Sequence, residues 1–166
     1  MSYSILDRHE AIGWDFDNTL IDHPNSAAIH RYIRAHPEKR HVIITFRSFG
    51  WQDEVWSSLA ACPGAPPRQS FDRLLNMDDA RFSPAVPESG PHVEHARAHD
   101  AIRVIEGKLL ITDVASYVEW KGLACRENGL TVLVDDRPEC VLPGCARHGI
   151  VHVHPDDLAS GGGDEP

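Results

Sequence analysis

Ala11-Ile-Gly-Trp-Asp-Phe-Asp-Asn-Thr-Leu20 is the stretch that decides the fold, because a short apolar run opens here directly onto polar side chains. If the run continues as an extended strand, side-chain alternation places the carboxylates of Asp15 and Asp17 on one side of it. Two anions about 4 Å apart repel each other by on the order of 4 kcal/mol at an effective dielectric near 20. The sequence therefore predicts a divalent cation with oxygen ligands beside this pair, and Mg²⁺ fits best.

Apolar runs of strand length alternate with amphipathic segments of helix length along the rest of the chain. The predicted strands span residues 11–16, 41–47, 71–77, 130–136 and 150–153. The predicted helices run from Asn25 or Ser26 to about Ala35 and over 51–60, 93–105 and 113–128; 78–91 is interpreted as loop and 108–112 as a short extended piece. This alternation predicts an α/β, three-layer Rossmannoid fold with a parallel five-stranded sheet and helices on both faces.

Length and charge limit the class of protein. The 166 residues suffice for one domain with a buried core and are too few for two ordinary ones. We expect residues 1–158 to form that domain and the Gly-rich segment 159–166 to be a disordered tail. The formal net charge of −9 disfavours nucleic acid as a bulk electrostatic partner. Because the start is not leader-like and no apolar run could cross a bilayer, a cytoplasmic protein without membrane partners is predicted.

Polar side chains stand at the carboxyl ends of three predicted strands, at Asp15, at Thr45 and at Asp135-Asp136. In parallel sheets, ligands bind beyond the carboxyl ends of the strands, near the point where the strand order reverses. We therefore expect these residues to share one edge of the sheet. Considered singly, Thr45 is equally well explained as a hydroxyl at the edge of the core, and Asp135-Asp136 as a turn at a strand end.

Lys121 lies on the predicted buried face of a helix, in line with Val114, Tyr117 and Val118. A buried ammonium is costly unless it is paired with an anion. The alternative is a lysine whose aliphatic stem carries the ammonium out to water. A cluster of carboxylates is expected nearby, so a functional cation is favoured.

In this order, the residues resemble the four motifs of the haloacid dehalogenase superfamily, phosphatase branch. The matching residues are Asp15-x-Asp17-x-Thr19, Val42-Ile-Ile-Thr45, Lys121 and Val132-Leu-Val-Asp135-Asp136. The resemblance implies a Mg²⁺-dependent phosphatase in which Asp15 attacks phosphorus and forms an aspartyl phosphate. It also implies that Asp17 is the general acid and base, that Thr45 hydrogen-bonds a phosphoryl oxygen, and that Lys121 neutralises the nucleophile and the transferring group.

The resemblance also implies a metal site. Mg²⁺ would be held by Asp15, by the main-chain carbonyl of Asp17 and by Asp135 or Asp136. The sequence does not decide between the last two, and Asp135 is favoured as the direct ligand. Asn18 and Arg47 are further candidates for substrate binding, although an ordinary surface arginine is an equal alternative for Arg47.

The segment 79–112 leaves room for a lid-like loop or a mini-cap, which by resemblance indicates a small-cap or capless member of the superfamily. The expected partner is a phosphorylated small molecule, nucleotide or phosphoprotein, and an oligomer is compatible with the sequence. Two alternatives remain open: a binding or regulatory module that keeps the fold without turnover, and a phosphotransferase to an acceptor other than water. His92, His95 and His99 have a metal-like spacing, but a solvated helix face is the favoured interpretation.

Overall fold

The structure is a computed structural model that describes residues 4–48, 51–77, 82–83, 102–105, 108–112 and 114–158. Within these ranges the strands are β1 (Ala11–Trp14), β2 (Arg40–Ser48), β3 (Arg73–Met77), β4 (Phe82–Ser83), β5 (Ile102–Ile105), β6 (Lys108–Thr112), β7 (Val132–Val134) and β8 (Val151–Val153). The helices are α1 (Ser4–Asp7), α2 (Ser26–Ala35), α3 (Gln52–Ala61), α4 (Val114–Glu127) and α5 (Pro138–His148). Shorter helical turns span Phe16–Leu20, Arg68–Ser70 and Pro155–Leu158.

The main sheet confirms the predicted α/β architecture. It has five parallel strands in the order β3-β2-β1-β7-β8, as in Rossmann-like folds. The central strand β1 pairs with β2 on one side and with β7 on the other, so Trp14 lies level with both Ile43 and Val134. The carboxyl ends of three strands that are distant in sequence therefore meet at one edge.

Helices cover both faces of this sheet. Successive side chains of a strand point to opposite faces, and those of β2 belong to two different apolar clusters. Ile43 belongs to a cluster with residues of α1, α2 and α3, namely Leu6, Ile29, Ile33, Val55 and Leu59. Its neighbours Val42 and Ile44 belong to a second cluster with residues of α4 and α5, namely Trp120, Cys125, Cys140 and Val141. The three-layer arrangement predicted from the sequence is thus confirmed.

Helices α4 and α5 approach each other closely because glycines stand where they cross. A Cβ built on Gly144 would lie only 2.7 Å from the carbonyl oxygens of Val118 and Glu119, and one on Gly122 would overlap the backbone of Gly144. Neither position can accept a side chain without moving a helix. Lys121 directly precedes Gly122, so this crossing also sets where the lysine reaches the sheet.

Several predicted elements agree with the structure, and two do not. Helix α2 ends at Ala35, as the proline at position 37 predicts, and β6 coincides with the extended piece 108–112. The helix predicted over 93–105 is wrong at its end, since Ile102–Ile105 is a strand that pairs antiparallel with β6. The loop predicted over 78–91 is wrong at Phe82–Ser83, which pairs with β6 on its other side.

The helix prediction is wrong at β5 because the run Ile102-Arg-Val-Ile is rich in β-branched residues, which favour a strand. The predictions for 93–101, for His92, His95 and His99, and for the tail 159–166 lie outside the described residues. None of the helices in the described ranges combines the length and apolar character needed to cross a bilayer.

Candidate active site

Lys121 joins the ends of two strands. Its Nζ lies 2.6 Å from Oδ1 of Asp15 and 2.6 Å from Oδ2 of Asp135, and all three side chains are buried. Charge-assisted hydrogen bonds of this length are strong, and they satisfy the ammonium away from water. The lysine is therefore paired within the protein and does not extend to solvent.

A phenyl ring faces the same ammonium. The ring centroid of Phe46 lies 4.3 Å from Nζ of Lys121, within the range of a cation–π contact. Phe46 is half-buried and also packs against Trp120. The ring thus adds a third contact to the ammonium besides the two carboxylates.

Strand β1 ends one residue before Asp15, which is earlier than the predicted strand 11–16. β1 ends at Trp14, and Asp17 and Asn18 lie in the helical turn Phe16–Leu20 with non-helical backbone angles. Asn18 adopts a left-handed conformation with φ of 52°, which asparagine tolerates better than most residues. The expectation that Asp15 and Asp17 extend from one side of a continuing strand is therefore wrong.

Asp17 is held by an arginine. Nε of Arg47 lies 3.0 Å from Oδ2 of Asp17, and Nη2 lies 2.6 Å from Oδ1, which is a two-point contact. The guanidinium also lies over the ring of Phe16, at 5.0 Å from its centroid. Thr45 is buried, and its Oγ1 accepts a hydrogen bond of 3.1 Å from the backbone N–H of Arg47. The second motif is thereby tied to the first.

Three carboxylates form a group suited to a metal ion. Asp15, Asp135 and Asp136 each offer an oxygen, and these oxygens lie within 4.8 Å of one another. Both oxygens of Asp135 are engaged, Oδ2 by Lys121 and Oδ1 by the backbone N–H of Arg137 at 2.9 Å. Oδ1 of Asp136 is buried and has no hydrogen-bond partner among the described residues. A hard divalent cation would satisfy this oxygen, so the residues fit Mg²⁺.

The charges of this group do not balance, because three carboxylates share one ammonium. Burial raises the pKa of Asp15 well above its usual range; Lys121 opposes this shift and the charge of Asp135 adds to it. Burial and the charge of Asp135 likewise raise the pKa of Asp136. Burial alone would lower the pKa of Lys121, but Asp135 and Asp15 more than offset it, so that pKa is raised. The excess negative charge favours a bound cation.

Two histidines that were not predicted from the sequence contact the backbone of Asp135 and Asp136. Nε2 of His152 lies 2.9 Å from the backbone carbonyl oxygen of Asp135, and Nε2 of His154 lies 3.1 Å from that of Asp136. These contacts fix the backbone that presents both carboxylates. In the sequence, these histidines could have been found from the alternation Val151-His-Val-His154, which spans β8 and the residue after it.

The structure brings most of the expected site residues to one edge of the sheet. Asp15, Lys121, Asp135 and Asp136 form one group, and Asp17, Thr45 and Arg47 form a second. The side chain of Asn18 is exposed. The hydroxyl of Thr19 in the same motif is buried and has no hydrogen-bond partner in the part of the chain that the structure describes.

Comparison of the chain with protein-family models, with curated proteins and with solved structures finds no match.

Proposed function

We propose that the protein is a Mg²⁺-dependent phosphatase that hydrolyses phosphate monoesters through an aspartyl-phosphate intermediate. The observation that carries the proposal is the buried contact of Lys121 with Asp15 and Asp135, beside an unpaired oxygen of Asp136. This combination offers a nucleophile, a fixed cation and a place for a second cation at the edge where parallel sheets bind ligands. The order of the four motifs along the chain supports the same chemistry.

Asp15 is the nucleophile in this proposal. Its Oδ1 is held by Lys121, so the other carboxylate oxygen attacks phosphorus while the ester oxygen departs. A water molecule then attacks the phosphorus of the aspartyl phosphate, and inorganic phosphate leaves as the Asp15 carboxylate is restored. Lys121 offsets the negative charge of the Asp15 carboxylate before the first step and again as that carboxylate is released in the second.

Asp17 supplies and removes the protons. It protonates the departing alcohol oxygen in the first step and accepts a proton from the attacking water in the second. The hydroxyl of Thr45 accepts a hydrogen bond from Arg47 and keeps its own hydrogen, which it can donate to a phosphoryl oxygen.

Mg²⁺ would be held by Asp15, by Asp136 and by the main-chain carbonyl of Asp17. The ion would offset charge on the phosphoryl oxygens. The unpaired oxygen of Asp136 supports its role as direct ligand, whereas both oxygens of Asp135 already have partners. The preference for Asp135 drawn from the sequence is therefore reversed in this proposal.

The test compares Mg²⁺-dependent hydrolysis of p-nitrophenyl phosphate by the wild type, by Asp15→Asn and by Asp72→Asn. Asp15→Asn keeps the shape of the side chain but removes the nucleophile, so we expect activity to fall by at least about 10³-fold. Asp72 is the matched control, because it is a carboxylate paired with Arg40 and Arg73 just ahead of β3, whose other end lies at the proposed site. Equal rates for wild type and Asp15→Asn would refute the proposal.

A further inference from the structure

Arg47 binds Asp17 through both carboxylate oxygens. Within the described residues, the hydrogen bonds of this carboxylate, at 3.0 and 2.6 Å, both come from the Arg47 guanidinium. The Asp17 side chain is 46% exposed and sits in a turn, so packing restrains it little. Its direction is therefore set mainly by the arginine.

The arginine is itself fixed at several points. Its backbone N–H donates to Thr45, its backbone carbonyl accepts a hydrogen bond of 3.2 Å from Asn76, and its guanidinium lies over the ring of Phe16. Planar stacking and a two-point contact leave a guanidinium few alternative positions. Arg47 thus transfers the rigidity of β2 and β3 to a side chain in a loop.

The positive charge of Arg47 is already neutralised. Besides Asp17, the carboxylate of Glu54 lies 3.9 Å from Nη1. The hydrogen bond to Asp17 is the largest cause that raises the pKa of the guanidinium, and the charges of Asp17, Glu54 and Asp22 add to it. An anionic substrate group would have to displace these carboxylates before it could bind Arg47.

We propose that Arg47 is a positioning residue for Asp17 and does not bind the phosphoryl group of the substrate. This inference rests on the proposed function, in which Asp17 moves the protons. A general acid or base must lie within hydrogen-bond reach of the atom it serves, and a loosely held carboxylate satisfies this only part of the time. A lysine cannot replace the arginine, because an ammonium lacks the planar two-point geometry.

The two steps of the reaction depend differently on Asp17. Nitrophenolate is a good leaving group that departs without protonation, so formation of the aspartyl phosphate from p-nitrophenyl phosphate does not need the acid. An alkoxide leaves poorly, so the same step from glycerol 2-phosphate does need it. Hydrolysis of the aspartyl phosphate needs the base with either substrate. A misdirected Asp17 therefore spares formation of the aspartyl phosphate from p-nitrophenyl phosphate but slows its hydrolysis. General damage to the site would slow both steps.

The experiment measures steady-state and rapid-mixing kinetics of both substrates for the wild type, Arg47→Gln, Arg47→Lys and Arg40→Gln. For both Arg47 variants we expect kcat with glycerol 2-phosphate to fall by about 10²-fold or more, the range of general acid–base catalysis, with KM changed by less than about 3-fold. With p-nitrophenyl phosphate we expect a burst of about one equivalent of nitrophenolate and an accumulated phosphoryl-enzyme visible by intact mass. Arg40→Gln removes an arginine–aspartate pair at the opposite end of β2 and should match the wild type.

Three results would overturn the inference. A raised KM with kcat intact would make Arg47 a substrate contact. Equal losses of kcat with both substrates, without a burst, would make the role of Arg47 purely structural. Arg47→Lys allows this comparison even if Arg47→Gln does not fold. A wild type that hydrolyses neither ester would refute the proposed function and this inference with it. An active wild type whose Arg47 variants give either of the two results above would refute the inference alone.

Discussion

Lys121 shows how one residue can be buried and still remain charged. Desolvation of an ammonium costs several kcal/mol, yet the carboxylates of Asp15 and Asp135 each lie 2.6 Å from its Nζ. The ring of Phe46 covers a further side at 4.3 Å. The arrangement is stable only while all partners are present, so a substitution at any of these positions would destabilise it.

His41 makes stability depend on pH. Its Nδ1 accepts a hydrogen bond of 3.1 Å from the indole N–H of Trp14, and its Nε2 donates to the carbonyl of His36. A second proton would have to enter on Nδ1 and break the bond to Trp14. Burial accordingly lowers the pKa of His41. The unfolded chain binds this proton near pH 6.5 while the folded protein does not, so stability is lost as pH falls below that value.

We expect the free energy of unfolding to fall between pH 7 and pH 5 on account of His41, because the unfolded chain takes up a proton that the folded protein does not bind. His41→Gln removes the titrating group, so its curve should be flatter over this range. Urea denaturation at several pH values measures both curves. A variant with the same slope as the wild type would contradict the assignment.

At the scale of elements, the crossing of α4 and α5 couples packing to the site. Gly122→Ala places a methyl group against the backbone of Gly144, which must move the helices apart. Overpacking of this kind typically costs 1–3 kcal/mol, and we expect about 2 kcal/mol or more here. Because Lys121 is the preceding residue, any hydrolysis of p-nitrophenyl phosphate that depends on the proposed site should fall as well. Chemical denaturation and the p-nitrophenyl phosphate assay test both effects.

Gly149→Ala is the matched control for this prediction. Gly149 ends α5 in a left-handed conformation with φ of 69° and has open space around its Cα. Its substitution costs about 1 kcal/mol of backbone strain and should leave turnover unchanged. If both variants lowered activity equally, the crossing would not be what positions Lys121.

Elements with a local cause could be predicted from the sequence, and those with a distant cause could not. The buried runs of β1, β2 and β7 and the stop of α2 ahead of Pro37 follow from neighbouring residues. The early end of β1 does not, because the turn after Trp14 is joined to Arg47, which lies 30 residues beyond Asp17. The same reasoning explains the site: the polar residues at the strand ends could be predicted from their neighbours, but the pairing of Asp17 with Arg47 could not.

At the scale of the whole molecule, a cation should stabilise the fold through the three carboxylates. Binding to the folded state alone adds about 2.7 kcal/mol when the free ion is at 100 times Kd. We expect Mg²⁺ to raise the Tm of the wild type in thermal denaturation. Asp136→Asn should abolish most of that increase, because it removes the negative charge of the carboxylate whose buried Oδ1 offers the ion a ligand.

The same variant should behave differently without metal. Asp136→Asn removes one of three carboxylates that share one ammonium, so the metal-free variant should be more stable than the metal-free wild type. Asp72→Asn, remote from the site, should respond to Mg²⁺ as the wild type does. An Asp136→Asn variant that keeps the full Mg²⁺ effect would exclude Asp136 as a ligand.

The central place of β1 has a consequence for synthesis on the ribosome. Asp15 is made early, but its cation lies 106 residues later, and the second carboxylate that binds this cation follows after β7. Until β7 docks, the nascent chain exposes one edge of β1 to aggregation. Until Lys121 is made, Asp15 lacks the ammonium that pairs with it in the folded protein. If Asp15 acts as proposed, its chemistry can begin only after Lys121 and Asp135 have been synthesised and β7 has joined the sheet.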